Sequence, residues 1–287
     1  MKERVISGLV ILGIFIALLA FMATPVTPIF VALISAAAVY ELNKTAGVKK
    51  QLAVPSIIMA ALIPIGIYLN FTSPFGSPIF TGCYGFLRIP VLILYIISML
   101  CLMVKWHSEV KFEQLAISVF SSLAVPYSLS CWVKFAFENT SATAYYLILL
   151  SISCSWLSDV FAYFSGRFFG KHKMAPVVSP KKTWEGAIGG VLLTAGVNVA
   201  FHFIYGTYFA KGDFAPWEWY MLIPISIILS VVSIMGDLSA SVIKRQAGVK
   251  DYSNLIPGHG GIMDRFDSVL FVFPMMYVFI LIFDMIG

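Results

Sequence analysis

Apolar residues fill this chain in long blocks rather than in the narrow stripes of a soluble fold. Nine blocks predict helices, at about 5–23, 26–42, 53–70, 88–104, 115–136, 144–165, 183–206, 218–238 and 268–286. About 20 apolar residues cross the hydrocarbon core of a bilayer. Only structures that satisfy their own backbone hydrogen bonds can do so. The pattern therefore predicts an all-α polytopic membrane protein of about nine transmembrane helices. The first block follows Lys2 and Arg4 like a signal peptide, but it ends without an A-x-A-like site and more spans follow. A retained first helix is expected.

The polar residues that interrupt the blocks give the orientation. With the N-terminus inside, the inner segments hold Lys2 and Arg4; Lys44, Lys49 and Lys50; Lys105 and Lys111. Further on they hold Arg167, Lys171, Lys173, Lys181 and Lys182, then Lys244, Arg245, Lys250 and Arg265. Only Arg88, Lys134 and Lys211 of the 19 basic residues fall elsewhere. Because the Lys/Arg bias sets topology, a cytoplasmic N-terminus and an outer C-terminus are expected. Composition adds little to this: 60% hydrophobic and 11% charged residues exclude an ordinary soluble domain, which carries about 25% charge. The four cysteines, Cys83, Cys101, Cys131 and Cys154, are scattered without C-x-x-C spacing, so neither zinc nor a disulfide framework is indicated.

The early blocks are plain hydrocarbon, and the chemistry gathers after about residue 155. Two parts are expected, N-terminal transmembrane helices over 1–140 and a catalytic transmembrane region over 141–287. Three polar constellations stand out. In "SDVFAYFSGRFFGKHK" (158–173), Asp159, Tyr163, Gly166 and Gly170 share one helical stripe. A carboxylate within an apolar span is expensive, so Asp159 should face a polar cavity or a cation, while the glycines alone read as packing positions. In "VVSPKKTWEGAIGG" (177–190), Ser179 predicts an N-cap with Pro180 at the first helical position. That helix would run to about 206. Its start, with Lys181, Lys182 and Thr183, would be an anion site; Glu185 and Gly186 follow.

The third constellation runs from Asp237, through Ser241 and Lys244 on the same face, to Lys250, Asp251 and "IPGHGG". The amides of that glycine turn are expected to form a nest for an anion. Asp264 and Asp267 then fall at i, i+3, on one face of the last helix. Carboxylates alone repel phosphate, but carboxylates with Mg²⁺ attract it. Mg²⁺ prefers one or two carboxylates together with substrate phosphates. These residues suit a Mg²⁺-nucleotide reacting in a cavity open to the cytoplasmic side.

The stretch 241–267 resembles the C-terminal signature of the phosphatidate cytidylyltransferase (CDP-diacylglycerol synthase) family. The matching residues are Ser241, Lys244-Arg245, Lys250-Asp251, Ser253, Ile256-Pro257, His259-Gly260-Gly261 and Asp264-Arg265-Phe266-Asp267. Ser179-Pro180-Lys181-Lys182-Thr183 with Glu185-Gly186, and Asp159 with Tyr163, Gly166, Arg167 and Gly170, are also similar to family segments. The likeness covers about 155–270. It implies that CTP and phosphatidate, drawn from the bilayer, become CDP-diacylglycerol and pyrophosphate, a step of phospholipid biosynthesis at the bacterial inner membrane. Asp237 and Asp264 would hold Mg²⁺, with room for a second cation, and Asp267 would complete or orient the shell. Ser179, Lys181, Lys182, Thr183 and Glu185 would bind CTP, with Ser241, Gly260 and Gly261 also lining the substrate. Lys244, Arg245, Lys250, Asp251, His259 and Arg265 would serve the phosphates or the reaction, and Asp159 the metal region or the lipid cavity. No nucleic acid partner is expected, and a homodimer is compatible with this reading.

Two other readings compete. A CTP-dependent polyprenol or phytol kinase would move the γ-phosphoryl group and need a base, which the complete signature argues against. An ion or metabolite transporter is compatible with Asp159, yet the other polar groups gather at one face instead of along a path. His202, alone in the seventh block, reads as a satisfied core residue.

Overall fold

A computed structural model describes residues 2–71, 78–210, 214–256, 258 and 260–286. The helices are α1 (Lys2–Ala20), α2 (Val26–Thr45), α3 (Lys50–Phe71), α4 (Pro78–Lys105), α5 (Phe112–Leu129) and α6 (Cys131–Glu138). There follow α7 (Ser141–Ile152), a π-helical turn (Ser153–Leu157), α8 (Ser158–Phe169), and α9 (Trp184–Tyr208). The chain ends with α10 (Leu222–Gln246), α11 (Met263–Phe266) and α12 (Val269–Ile286). Among the described residues seven helical stretches are long and apolar enough to cross a membrane. Gly8–Ala20 and Ile89–Lys105 are apolar but shorter.

The all-helical expectation needs one correction. Strands β1 (Lys173–Ala175) and β2 (Ser179–Thr183) pair as an antiparallel hairpin, Lys173 opposite Thr183 and Ala175 opposite Ser179. The helix expected from Ser179–Pro180 therefore begins at Trp184, with Thr183 as its N-cap. Two cap candidates four residues apart compete here. Thr183 prevails because the hairpin occupies the backbone before it, and because its hydroxyl accepts a hydrogen bond from Gly186 N (3.2 Å).

The chain divides into two compact units. The first comprises Met1–Glu138 with Asp251–Asp264, the second Asn139–Lys250 with Arg265–Gly287. In the first unit α2, α3 and α5 pack together and bury a polar thread. Asn43 Nδ2 donates to Ser56 Oγ (2.7 Å), and Ser118 Oγ donates to Asn43 Oδ1 (3.2 Å). The distant segment 251–264 joins this unit because Thr45 Oγ1 meets Tyr252 O (3.5 Å) and Glu41 grips the segment by three hydrogen bonds.

In the second unit α8 lies on α9, and α9 on α10. Small residues set the first of these contacts. A Cβ at Gly190 would meet Ser158 O at 2.8 Å and Ala162 N at 3.0 Å, and one at Gly166 would meet Thr183 Oγ1 at 2.7 Å. Buried hydroxyls and an amide stitch the same helices: Ser153 Oγ donates to Asn198 Oδ1 (2.5 Å), and Asn198 Nδ2 donates to Ser226 Oγ (3.0 Å). Each such bond is worth about 1 kcal/mol net, but its absence would strand a buried polar atom at greater cost.

Candidate active site

A cavity of about 250 Å³ opens in the second unit, where α8, β2, α9 and α10 converge. Its polar wall carries Asp159 from α8, Lys181, Lys182 and Ser179 from β2, and Asp237 from α10. Ala162, Tyr163, Ala187 and Ile234 supply the apolar wall. Lys182 is the hinge of the electrostatics. Its Nζ makes an ion contact with Asp237 Oδ2 and lies 4.0 Å from Asp159 Oδ1. The Lys182 and Asp237 side chains are only 22% and 23% exposed, that of Asp159 40%. Asp267, itself buried, feels the fields of Asp237, Lys244 and Asp159. Asp159 and Asp237 thus share Lys182.

The hairpin brings the lysines here, so the expectation that they sit in a helix's first turn is corrected. On an extended strand successive side chains alternate: Lys181 is exposed and Lys182 half-buried. Both still reach the cavity. Gly166 and Gly170 give Thr183 room, since a Cβ at either would come within 2.8 Å of its hydroxyl. They are packing positions, not ligands. Glu185 has a local task as well. Its carboxylate accepts from Lys171 N (3.1 Å) and His172 N (3.2 Å) and pairs with His172 Nδ1 (2.5 Å), fastening the end of α8 to the start of α9.

The last constellation departs further from expectation. Asp264 and Asp267 do not share one helix, because α11 stops at Phe266 and α12 starts at Val269. The break arises at Asp267 and Ser268. Asp267 Oδ1 accepts from Ser268 N (2.8 Å), and Ser268 O accepts from Phe271 N and Val272 N, so the pair caps α12. Gly236 lets α10 approach this corner; a Cβ there would stand 3.0 Å from Asp267 O. Trp156 Nε1 donates to Arg265 O (3.3 Å), and the hydroxyls of Ser155 and Ser268 meet at 2.7 Å.

One amide of the glycine turn, Gly261 N, is taken up within the fold. Asp264 Oδ2 accepts from Gly261 N and from Tyr252 N, each at 2.9 Å. Ile262 N and Met263 N donate to Glu41 Oε1 and Oε2, at 3.0 and 2.8 Å. Gly260 has φ 82°, and a Cβ on it would meet Asp264 Oδ2 at 2.9 Å, which is why glycine stands there. Asp264 belongs to the first unit and Asp237 to the second. Ser241 and Lys244 are half-buried on α10, whereas Arg245, Lys250 and Asp251 are exposed. Arg245 reaches Val178 O (3.4 Å) and Val249 O (3.3 Å). His259 and Pro257 lie outside the described residues. His202 takes part in a hydrogen bond with Tyr146 Oη (3.0 Å).

The residue that motif reasoning missed is Glu41, 1% exposed in α2. Its signal was available: a lone acid in "VALISAAAVYELNK", inside an otherwise apolar span.

Comparison with known proteins gives the family of the chain. The model of the cytidylyltransferase family matches residues 2–283. The chain belongs to that family. Among similar relatives, the phosphatidate cytidylyltransferase of Bacillus subtilis (strain 168) is 30% identical over 286 residues, 99% of each chain. That of Staphylococcus haemolyticus (strain JCSC1435) is 41% identical over 145 residues, 50% of this chain and 53% of the relative. That of Staphylococcus saprophyticus is 41% identical over 147 residues, 51% and 53% of the two chains. The chain spans about half the length of these staphylococcal relatives. The resemblance drawn from 155–270 thus holds for the whole chain as family membership. In donor chemistry Asp159 and Asp237 suit a hard cation, since they offer oxygen only, while Lys181 and Lys182 line the same cavity and Lys182 lies against both acids. Among the described residues no three His, Cys, Asp or Glu side chains form a metal cage. A hard cation bound there would take one or two of these carboxylates and complete its shell with phosphates.

Proposed function

We propose that this protein is a phosphatidate cytidylyltransferase, converting CTP and phosphatidate into CDP-diacylglycerol and pyrophosphate in the bacterial inner membrane. The observation that carries the reading is the cavity of the second unit. There two lysines of β2 and two carboxylates meet beside an apolar wall. At about 250 Å³ it is smaller than the pockets that enclose a whole ligand, and it suits the phosphate ends of substrates. A lipid phosphate needs an apolar approach; a triphosphate needs cations. Both are supplied within one cavity.

In the reaction a phosphatidate oxygen attacks the α-phosphorus of CTP, the bond from that phosphorus to the bridging oxygen breaks, and pyrophosphate leaves. Such transfers depend on positioning and charge stabilisation. Lys181 and Lys182 hold phosphate oxygens, and Ser179 and Thr183 bound the same wall. Tyr163, Ala162 and Ile234 keep water from the lipid side. Phosphatidate carries its charge at neutral pH, so no general base is required. Asp237, with Asp159 beside it and Asp267 within its field, would hold Mg²⁺, which supplies charge neutralisation at the leaving pyrophosphate. Asp264 and a second cation are kept on the motif alone. Nine spans, a cytoplasmic N-terminus and a homodimer complete the proposal.

The test is a label-transfer assay with purified protein in mixed micelles. CTP labelled at the α-phosphorus, with phosphatidate and Mg²⁺, should send label into the organic phase and release pyrophosphate. Label that enters lipid only from the γ-phosphorus, onto a prenyl alcohol, would overturn the assignment.

A further inference from the structure

We propose that Glu41 is a positioning residue, fixing the loop 251–264 and through it the orientation of Asp264. The inference rests on the cytidylyltransferase reading for its catalytic consequence, though not for its geometry. Glu41 sits in α2, 1% exposed, and no described basic side chain forms an ion pair with it. Its charge is met by three donors from one loop: Ser253 Oγ at 2.5 Å, Ile262 N at 3.0 Å and Met263 N at 2.8 Å. Ser253 Oγ in turn accepts from Leu255 N (3.1 Å), so the grip extends to both ends of the turn. A Cβ on Gly261 would stand 2.5 Å from Glu41 Oε2, so only glycine lets the carboxylate come this close.

The two acids divide the amides of one short stretch. Asp264 takes Gly261 N while Glu41 takes the next two, at the start of α11. With 262 and 263 held from α2, Gly261 N and Tyr252 N converge on a single oxygen of Asp264 and fix its place. A carboxylate in apolar surroundings is costly unless its hydrogen bonds are made. Three charge-assisted bonds on one loop mean that the loop, in turn, is held by that cost. A structural carboxylate with no bearing on the reaction would stabilise α2 and α11 alike, and its loss would loosen the first unit evenly.

The discriminating measurement is hydrogen–deuterium exchange on full-length Glu41→Gln in detergent, with steady-state kinetics at a temperature well below unfolding. Gln keeps the volume but turns one of the two accepting oxygens into a donor that faces a donor. We expect exchange at 261–263 to speed up by about tenfold or more, from the loss of charge-assisted bonds, with α3 and α5 unchanged. kcat should fall by about 10- to 100-fold while KM for CTP moves less than about threefold. Ser253→Ala, which removes one donor of three, should give a smaller change of the same kind and serves if Glu41→Gln fails to fold. In an Asp264→Asn background Glu41→Gln should add little further loss of kcat. Unchanged exchange at 261–263, or acceleration spread evenly through the first unit with kcat intact, would overturn the proposal. A wild-type protein without cytidylyl transfer would sink the activity reading instead, and the exchange result would still decide whether Glu41 holds the loop.

Discussion

Replacing Lys182 by Gln removes the ammonium that β2 places against Asp237 and near Asp159. Unit charges 4 Å apart interact by about 4 kcal/mol at an effective dielectric of about 20. For Asp159, whose side chain is 40% exposed, solvent reduces that to about 1 kcal/mol or less. The Asp237 contact is closer and less exposed. Breaking a fully buried pair by deleting one partner costs about 3–5 kcal/mol, so about 2 kcal/mol is expected for this partly covered one. Asp237→Asn should cost about as much or less, since it leaves Lys182 the neighbouring Asp159. The double variant should be less destabilised than the sum of the singles by about 1–2 kcal/mol, the signature of directly coupled groups. Denaturant unfolding in detergent micelles, followed by circular dichroism, measures all three. Additivity within about 0.5 kcal/mol would show that the pair is not a working contact and that Lys182 is free for another role.

Two further outcomes follow from close approaches in the second unit. Gly190→Ala would force a methyl to within 2.8 Å of Ser158 O and 3.0 Å of Ala162 N, and backbone atoms in a helix do not yield easily. A loss of about 1–3 kcal/mol is expected, and an unchanged unfolding midpoint would refute the tight α8–α9 packing. Thr183→Ala removes the N-cap of α9 and should cost about 1 kcal/mol. Because Thr183 also bounds the cavity, KM for CTP should rise with it, and a stable variant with normal KM would speak against a binding role for β2.

Much of the helical architecture is legible because each long apolar block has one stable solution in lipid. All the expected blocks coincide with helices, although α1 and α4 offer only short apolar stretches by the stricter measure. The hairpin was not legible. Ser179–Pro180 carries the local signs of a helix start, and only the pairing of 173–175 with 179–183 overrides them. Proline at the first helical position is a local preference; strand pairing and a well-packed Thr183 are tertiary facts. The same limit explains Asp264 and Asp267. Their i, i+3 spacing reads as one helical face, yet Ser268 caps a new helix between them and the next turn.

Of the candidate site, the residue types were legible and their partners were not. Asp159 stands out as a charge in an apolar span, Lys182 as part of a basic anion site and Asp237 as the acid that opens the third constellation, but nothing local says that Lys182 lies against Asp237. Gly260 and Gly261 read as an anion nest; in the structure Gly261 N donates to Asp264, and the next two amides, of Ile262 and Met263, donate to Glu41. Glu41 is not legible from the signature, which lies within residues 155–270, because the loop is anchored more than 200 residues away in sequence.

The most direct test of the account is the rate of CDP-lipid formation by Asp237→Asn, measured against Mg²⁺ concentration beside the wild type and with a chelator control. The account predicts no product with chelator in either protein. It also predicts a loss of about 10²- to 10³-fold in the folded variant, as for removal of a group that stabilises transition-state charge. A folded Asp237→Asn that transfers cytidylyl within about threefold of wild type, at the same Mg²⁺ requirement, would contradict it, and the reacting centre would have to lie elsewhere than the cavity of β2 and α10.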